Sequence, residues 1–319
     1  DAGHEVVLLD DLSGTSAVAA QRVERITGKS APLVVGNAAD DEVVESAFAD
    51  HGPIDAIIHF AAFKAVGEST QKPLEYYANN LDTTFALLRV GLAHGIRSFV
   101  FSSTGTVYSD PADLPFTEES TTSVDLSNAY SKSKRMNEVV LADVARVNPD
   151  VNVTVLRYFN PVGAHTSGLI GEDPTGIPNN LMPYVSRVAI GALERIGVFG
   201  DDYDTPDGTG LRDYIHVVDL ADGHVSALEK AAPGYAVYNL GTGRPVSVLE
   251  LISSFEKAVG RKLPTQILDR RPGDVAATYC DPAKAERELG WKARFGIDEA
   301  SRDYWTWQSQ NPQGYATAE

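Results

Sequence analysis

The chain has 319 residues, 43% of them hydrophobic, and a formal net charge of −17 at neutral pH. Such length and apolar content build a large core, more readily in two fused lobes than in one, and exclude a disordered chain. The acidic balance repels polyanions, which excludes nucleic acid and anionic membrane as partners of the surface as a whole.

A single cysteine, Cys280, rules out an internal disulfide framework and any CxxC knuckle, as in a reducing compartment. The seven histidines form no HExxH-type pair, so no metal site is expected. No apolar run is long enough to span a bilayer and no signal-peptide pattern opens the sequence, so the expected location is cytoplasmic. A small phosphorylated ligand would need a local basic pocket set against the general negative field.

Along the chain, strands and helices alternate. His4 to Asp10, within "DAGHEVVLLDD", reads as a short buried strand ending in carboxylates. A helix near 17–27, the strand "PLVVG", a helix near 40–50, the strand "DAIIHFAA" and a long helix after Pro73 follow. Then come the strand "RSFVFSS", a helix after Ser127 and the strand "VTVLRYF". This order predicts an α/β fold with a doubly wound parallel sheet, whose ligands sit at the carboxyl ends of the strands. Chemistry is therefore expected at Asp10, Asn37, Phe60 to Lys64, Ser102 to Thr104, and Tyr158 to Asn160.

Beyond Asn160 long Gly-, Pro- and Asp-rich loops appear, and residues 161–319 are expected to form mainly a smaller mixed α/β substrate lobe beside a nucleotide-binding lobe over 1–160. Residues 213–241 read as strand, helix and strand, and are expected to return to the first sheet. The acidic loop at 200–210 lacks EF-hand spacing and is expected to be solvated.

"NAYSKSK" places Tyr130 and Lys134 four residues apart on one helix face, after the capping candidates Ser127 and Asn128. A tyrosine needs its pKa of about 10 lowered by several units to act as a base near neutral pH. A cation at about 4 Å, in an effective dielectric of about 20, supplies roughly 4 kcal/mol, on the order of three pKa units. The same two residues would also occur by chance on an exposed helix turn. Thr104, at the carboxyl end of the strand "FVFSST", is placed either to pass a proton between a sugar hydroxyl and Tyr130 or to satisfy local backbone in a turn.

"SSTGTVY", "NAYSKSK" and "RYFNPVGAH" together resemble the extended short-chain dehydrogenase/reductase family. "HFAAFKAVGES", "QKPLEYYANN", "GEDPTGIPNNLMPY", "GTGLRDYIHVVDLADGH" and "RRPGD" narrow the resemblance to its UDP-glucose 4-epimerases, from near residue 1 to beyond "WTWQSQNPQGY". The resemblance implies NAD-dependent interconversion of UDP-galactose and UDP-glucose through a transient 4-keto sugar, with no net redox. It makes Tyr130 the base, Lys134 the residue that binds the nicotinamide ribose and depresses the tyrosine pKa, and Thr104 the bridge between sugar and tyrosine. It assigns NAD to Asp10, Asn37, Ala38, Phe60, Ala61, Ala62, Lys64, Asn79 and Phe159, together with Thr104, Tyr130 and Lys134. Asp10 favours NAD over NADP, since a carboxylate repels a 2′-phosphate, although acids are also common at strand ends. Asn37 stands where the family usually has aspartate.

The resemblance gives the UDP-sugar to Lys64, Asn160, Asn180, Phe199, Arg212, Arg271 and Asp274, and sets Thr278 beside the sugar 2-position, where a small side chain leaves room for an N-acetyl group. Guanidinium forks suit phosphate oxygens. The alternative for Arg212 and Arg271 is pairing with nearby acids, such as Asp213 or Asp274. The family is commonly a homodimer through helices of the dinucleotide lobe. Its members begin with a strand and a "GGxGxIG" turn, and the resemblance enters after them, at "AGHEV"; on this reading the first strand and glycine turn are missing, and these residues alone are expected to retain NAD poorly. A 4,6-dehydratase shares the fold but has an Asp-Glu pair where Gly105 and Thr106 stand. A non-catalytic nucleotide-binding scaffold is the remaining alternative.

Overall fold

A computed structural model describes residues 2–271 and 273–317. The first half runs β1 (Leu8–Asp10), α1 (Ala17–Thr27), β2 (Leu33–Val35), α2 (Asp41–His51), β3 (Ala56–His59), α3 (Val66–Ser69), α4 (Pro73–Ala93), β4 (Ser98–Ser102), α5 (Ala129–Val147) and β5 (Asn152–Tyr158). Next come β6 (Asn160–Val162), α6 (Leu181–Ala189), β7 (Ile196–Phe199), β8 (Leu211–Arg212), β9 (Tyr214–His216), α7 (Val217–Lys230) and β10 (Gly234–Leu240). The chain continues with β11 (Val246–Ser247), α8 (Val248–Val259), β12 (Thr265–Leu268), β13 (Ala277–Thr278), α9 (Ala283–Leu289) and α10 (Ile297–Gln310).

Local chemistry sets these boundaries. Ser16 caps α1 by accepting from the Val18 amide, and Gly28 ends it at φ 69°, a left-handed conformation that favours glycine. Asp40 caps α2, and Pro73 opens α4 where its missing N–H costs nothing. Asn128 caps α5 by accepting from the Ser131 amide at 2.9 Å.

The central sheet is parallel, in the order β10-β5-β4-β3, while β1 and β2 form a separate parallel pair. Along β4 and β5 the side chains alternate between two cores. Phe99, Phe101, Val153 and Val155 pack with Leu87 and Leu141 of α4 and α5. Val100 and Leu156 pack on the other face with Leu220, Leu240, Leu289 and Trp291. The sheet is thus covered by helices on both sides. A third core joins α6, α8 and α10 to β7 through Met182, Val185, Ile196, Leu251, Phe255, Tyr304 and Trp307. β9 pairs with β6, outside the central sheet, whereas β10 lies in it.

One expectation is corrected. The strand expected to be buried over 4–10 is confined to Leu8–Asp10 and only half-buried, with Val6 exposed. An apolar run is buried in a parallel sheet only where strands flank it, and among the described residues β1 pairs with β2 alone. The acidic loop at 200–210 keeps Asp201, Asp202, Asp204 and Asp207 exposed, as expected. Tyr203 is buried in it, Asp207 accepts from the Thr209 amide and hydroxyl, and Asp202 pairs with Arg270 at 2.7 Å.

Helix α5 is tied to β5 by a buried ion pair. Glu138 accepts from Arg157 Nε at 3.0 Å and Nη2 at 2.7 Å, and from the Ser103 hydroxyl at 2.6 Å. The Arg157 Nη1 group also donates to the Tyr108 hydroxyl at 3.2 Å. Removing one partner of such a pair leaves an uncompensated buried charge. We expect Glu138→Ala to lower the unfolding free energy in urea by about 3–5 kcal/mol; a change under about 1 kcal/mol would refute this role.

Candidate functional site

Tyr130, Lys134 and Glu138 recur every fourth residue on the inner face of α5, and all three are buried. The exposed helix turn that the sequence left open as an alternative is therefore not what forms. Lys134 Nζ donates to the Ser102 carbonyl at 2.8 Å and lies 4.7 Å from the Phe101 ring centre. Thr104 is the polar neighbour that favours the ionised form of the Tyr130 phenol. Thr104 also accepts from the Thr106 amide at 3.2 Å, the local backbone contact expected of a turn residue.

Burial dominates the electrostatics. It pushes Lys134 down to about 7, opposed by the Glu138 charge, and pushes Tyr130 up, opposed by Thr104. By Coulomb attraction alone, an ammonium about 4 Å away would lower the phenol. The packed pair instead loses water on both members, and Lys134 directs its hydrogen bond at the Ser102 carbonyl. His59, buried beside the lysine, is pushed down to about 3 and is neutral.

The residues assigned to the cofactor line the carboxyl ends of β1 to β5. Asp10 Oδ1 accepts from the Leu12 amide at 2.7 Å and the Thr15 hydroxyl at 3.3 Å. Asn37 Oδ1 accepts from the Ala39 amide at 2.9 Å, and Ala38 is buried. After β3, Phe60 and Phe63 are 55% and 40% exposed, an apolar surface at an otherwise polar edge. Ala61 is exposed beside them and Ala62 half-buried. Lys64 pairs with Glu172 at 3.5 Å. Asn79 donates to the Asn80 side chain at 3.1 Å, and Phe159 stacks with Tyr108 at 6.4 Å between ring centres. Exposed aromatic rings after β3, an acidic end to β1 and a buried lysine on α5 are the types of group that suit the rings and ribose of a dinucleotide. No glycine-rich pyrophosphate turn occurs among the described residues.

The residues assigned to the UDP-sugar are spread over β6, β7, β8, β13, the start of α6 and the loops after β3 and before β13, and contacts join Arg212 to Asp274 and Arg271 to Phe199. Arg212 Nη2 donates to Asp274 at 2.6 Å and Nη1 to the Val275 carbonyl at 3.0 Å. Asp213 points elsewhere, accepting from the amides of Thr242 at 2.7 Å and Gly243 at 3.1 Å. Of the two acids the sequence offered Arg212, the fold brings only Asp274 to it. Arg271 is exposed and stacks on Phe199, 3.8 Å from the ring centre. Thr278 is half-buried and in register with Arg212, while the Asn160 amide donates to the Asp213 carbonyl at 3.0 Å. Asn180 stands exposed at the start of α6.

Three residues were overlooked. Glu138 was legible as the next fourth-residue step after Tyr130 and Lys134. Asn80, rather than Asn79, pins the loop after β3, accepting from the Phe63 amide at 2.8 Å and donating to the Ser133 hydroxyl at 3.0 Å. His224 reaches Ser102 across 122 residues of chain, and no local pattern announces it.

The model of the NAD dependent epimerase/dehydratase family matches residues 1–241. The UDP-glucose 4-epimerase of Bacillus subtilis (strain 168) is 52% identical over 321 residues, covering 100% of this chain and 94% of the relative. The crystal structure of UDP-glucose 4-epimerase from Bifidobacterium longum in complex with NAD+ and UDP superposes with a TM-score of 0.93 at 52% identity, covering 98% of this chain and 93% of that one. The enzyme from Stenotrophomonas maltophila with bound NAD and formylated UDP-arabinopyranose gives a TM-score of 0.93 at 44% identity, covering 98% of this chain and 92% of that one.

Burying Lys134 costs stability. Its folded-state pKa lies below the unfolded value, so below about 7 both states are charged and the full penalty is present. Between about 7 and the unfolded lysine value the unfolded state binds more protons, and the penalty shrinks as pH rises. Lys134→Met should therefore stabilise the cofactor-free protein by about 2 kcal/mol at pH 7, a gain that fades by pH 10, as followed by urea unfolding. Equal or lower stability at pH 7 would contradict the burial argument.

Proposed function

Since the chain belongs to the NAD dependent epimerase/dehydratase family, we propose that it interconverts UDP-galactose and UDP-glucose by inverting C4 of the sugar. The observation that carries this reading is the buried Tyr130 and Lys134, with Thr104 beside the phenol, at the carboxyl end of β4.

Asp10, Asn37, Ala38, Phe60, Ala61, Ala62, Lys64, Asn79, Thr104, Tyr130, Lys134 and Phe159 would hold NAD, which when bound would supply a reversible acceptor for the hydride of C4. Tyr130 takes the proton of the 4-hydroxyl as the C4–H bond is broken, and Thr104 orients that hydroxyl. The resulting 4-keto sugar turns about its link to the diphosphate and presents its other face. Tyr130 then returns the proton to the ketone oxygen, so protons and electrons balance over the cycle. Lys134 would hold the ribose side of the cofactor, and the positive nicotinamide ring, when bound, would supply charge that favours the ionised Tyr130. Arg212 and Arg271 bind the diphosphate, with Phe199, Asn160, Asn180 and Asp274 around the nucleotide. Arg212 exchanges Asp274 for phosphate oxygens, two bidentate-capable forks offsetting the acidic field locally.

Elimination of water would need an acid and a base beside Thr104. A Cβ placed at Gly105 would lie 2.8 Å from the Phe159 ring, so an acidic side chain there would have to displace that ring. A purely binding scaffold would have no use for a buried lysine that costs stability. We also propose a division into a nucleotide lobe over 1–160 and a substrate lobe beyond it, with α7 and β10 packed back on the first.

The decisive experiment incubates the protein with NAD and UDP-galactose. UDP-glucose should accumulate, and Tyr130→Phe should slow this by about 100-fold or more. A dehydrated keto sugar, or no conversion, would overturn the reading. Thr278 predicts comparable turnover of UDP-N-acetylglucosamine, and its exclusion would reject that assignment.

A homodimer built on α4 and α5 is supported by Leu74, Val139 and Val147, which these helices leave exposed. Sedimentation equilibrium should give the mass of two chains; that of one would reject it. No helix among the described residues is long and apolar enough to cross a membrane, and the cytoplasm is the proposed location.

A further inference from the structure

One buried histidine lies against the carboxyl edge of the sheet and has no part in the steps above. His224, on α7, meets the ends of three strands at once. Its ring centre is 4.6 Å from that of Phe60, which follows β3, and 6.1 Å from that of Tyr158, the last residue of β5. Its Nε2 is 2.7 Å from the hydroxyl of Ser102, the last residue of β4.

The partners assign the tautomer. Nδ1 lies 2.8 Å from the Leu220 carbonyl, which can only accept, so Nδ1 carries the hydrogen. Nε2 is then an acceptor, and Ser102 Oγ must donate to it. Burial pushes the imidazole down to about 4, so this neutral tautomer persists through the physiological range. The same Ser102 offers its backbone carbonyl to Lys134 Nζ at 2.8 Å. A continuous path therefore runs from the α7 backbone through His224 and Ser102 to the lysine. An apolar ring of equal size would fill the space but leave the Ser102 hydroxyl buried without its acceptor.

We propose that His224 is a positioning residue for the Tyr130 and Lys134 pair, acting through Ser102 to fix the carbonyl that receives the lysine. Its importance for turnover rests on the epimerase reading, but its effect on Lys134 does not. The other titratable or charged groups around the pair are Glu138 on α5, His59 on β3, Tyr76 on α4 and Tyr158 on β5. None of them contacts Ser102 in the manner of His224.

The test titrates Lys134 in the full chain by carbon-13 NMR of ε-labelled lysine, with Lys134→Met assigning the resonance. His224→Phe and Ser102→Ala should each lower its midpoint by about half a unit to one unit, because the carbonyl no longer favours the charged form. The double variant should shift it no further than either single one, since both cut the same link. His224→Gln, which restores an acceptor, should keep the original midpoint. In turnover, kcat should fall in the two link-breaking variants while KM for UDP-galactose stays unchanged. An unchanged midpoint in Ser102→Ala, or additive shifts in the double variant, would overturn the proposal. Should His224→Phe fail to fold, Ser102→Ala and His224→Gln decide it. If the unmodified protein converts no UDP-galactose, the functional reading fails separately, because the titration needs no turnover.

Discussion

An ammonium group sealed against a β-sheet has few places to put its charge, and the site is organised around that fact. Lys134 has given up water for one carbonyl, one aromatic face and the field of Glu138. Every element holding those partners is therefore bound to the lysine's position. Ser102 ends β4, Phe101 precedes it, and Glu138 is clamped to β5 through Arg157. Moving any of them leaves a buried charge less well compensated, a cost of a size that decides whether a domain folds. The site is rigid because its polarity can be satisfied in one arrangement.

The same logic reaches the substrate side, with the opposite solution. The chain is strongly acidic, yet a diphosphate needs cations. Arg212 is half-buried with Asp274 against it, so its guanidinium is already aimed before an anion arrives. Arg271 remains exposed over Phe199, where its planar face packs while its donors stay in water. One arginine is preorganised by an acid and the other by an aromatic ring. On the proposed reading these two arginines offset the negative surface where the diphosphate binds.

Several features were legible in the sequence because they depend on near neighbours. Ser16 and Gly28 bracket α1 at the positions that capping chemistry demands, and the fourth-residue spacing of Tyr130 and Lys134 puts both on one face of α5. The alternation of strands and helices was sufficient for a doubly wound sheet. Other features were illegible because burial is a property of the whole molecule. The apolar run before Asp10 is that of a buried strand, but it is half-buried beside a single partner. The phenol and ammonium look like a simple Coulomb pair on paper, yet packing them dry reverses the direction of the tyrosine shift.

From the order of residues alone came the fold class, the helix and strand boundaries to within a few residues, and the types of group able to carry the chemistry. These follow from backbone propensity, capping and periodicity, which act over one or two turns of chain. Only the assembled structure decided which acid Arg212 meets, that Glu138 anchors α5, and that His224 reaches Ser102 from 122 residues away. Those pairings join segments far apart in sequence, and their strength comes from the water that packing removes.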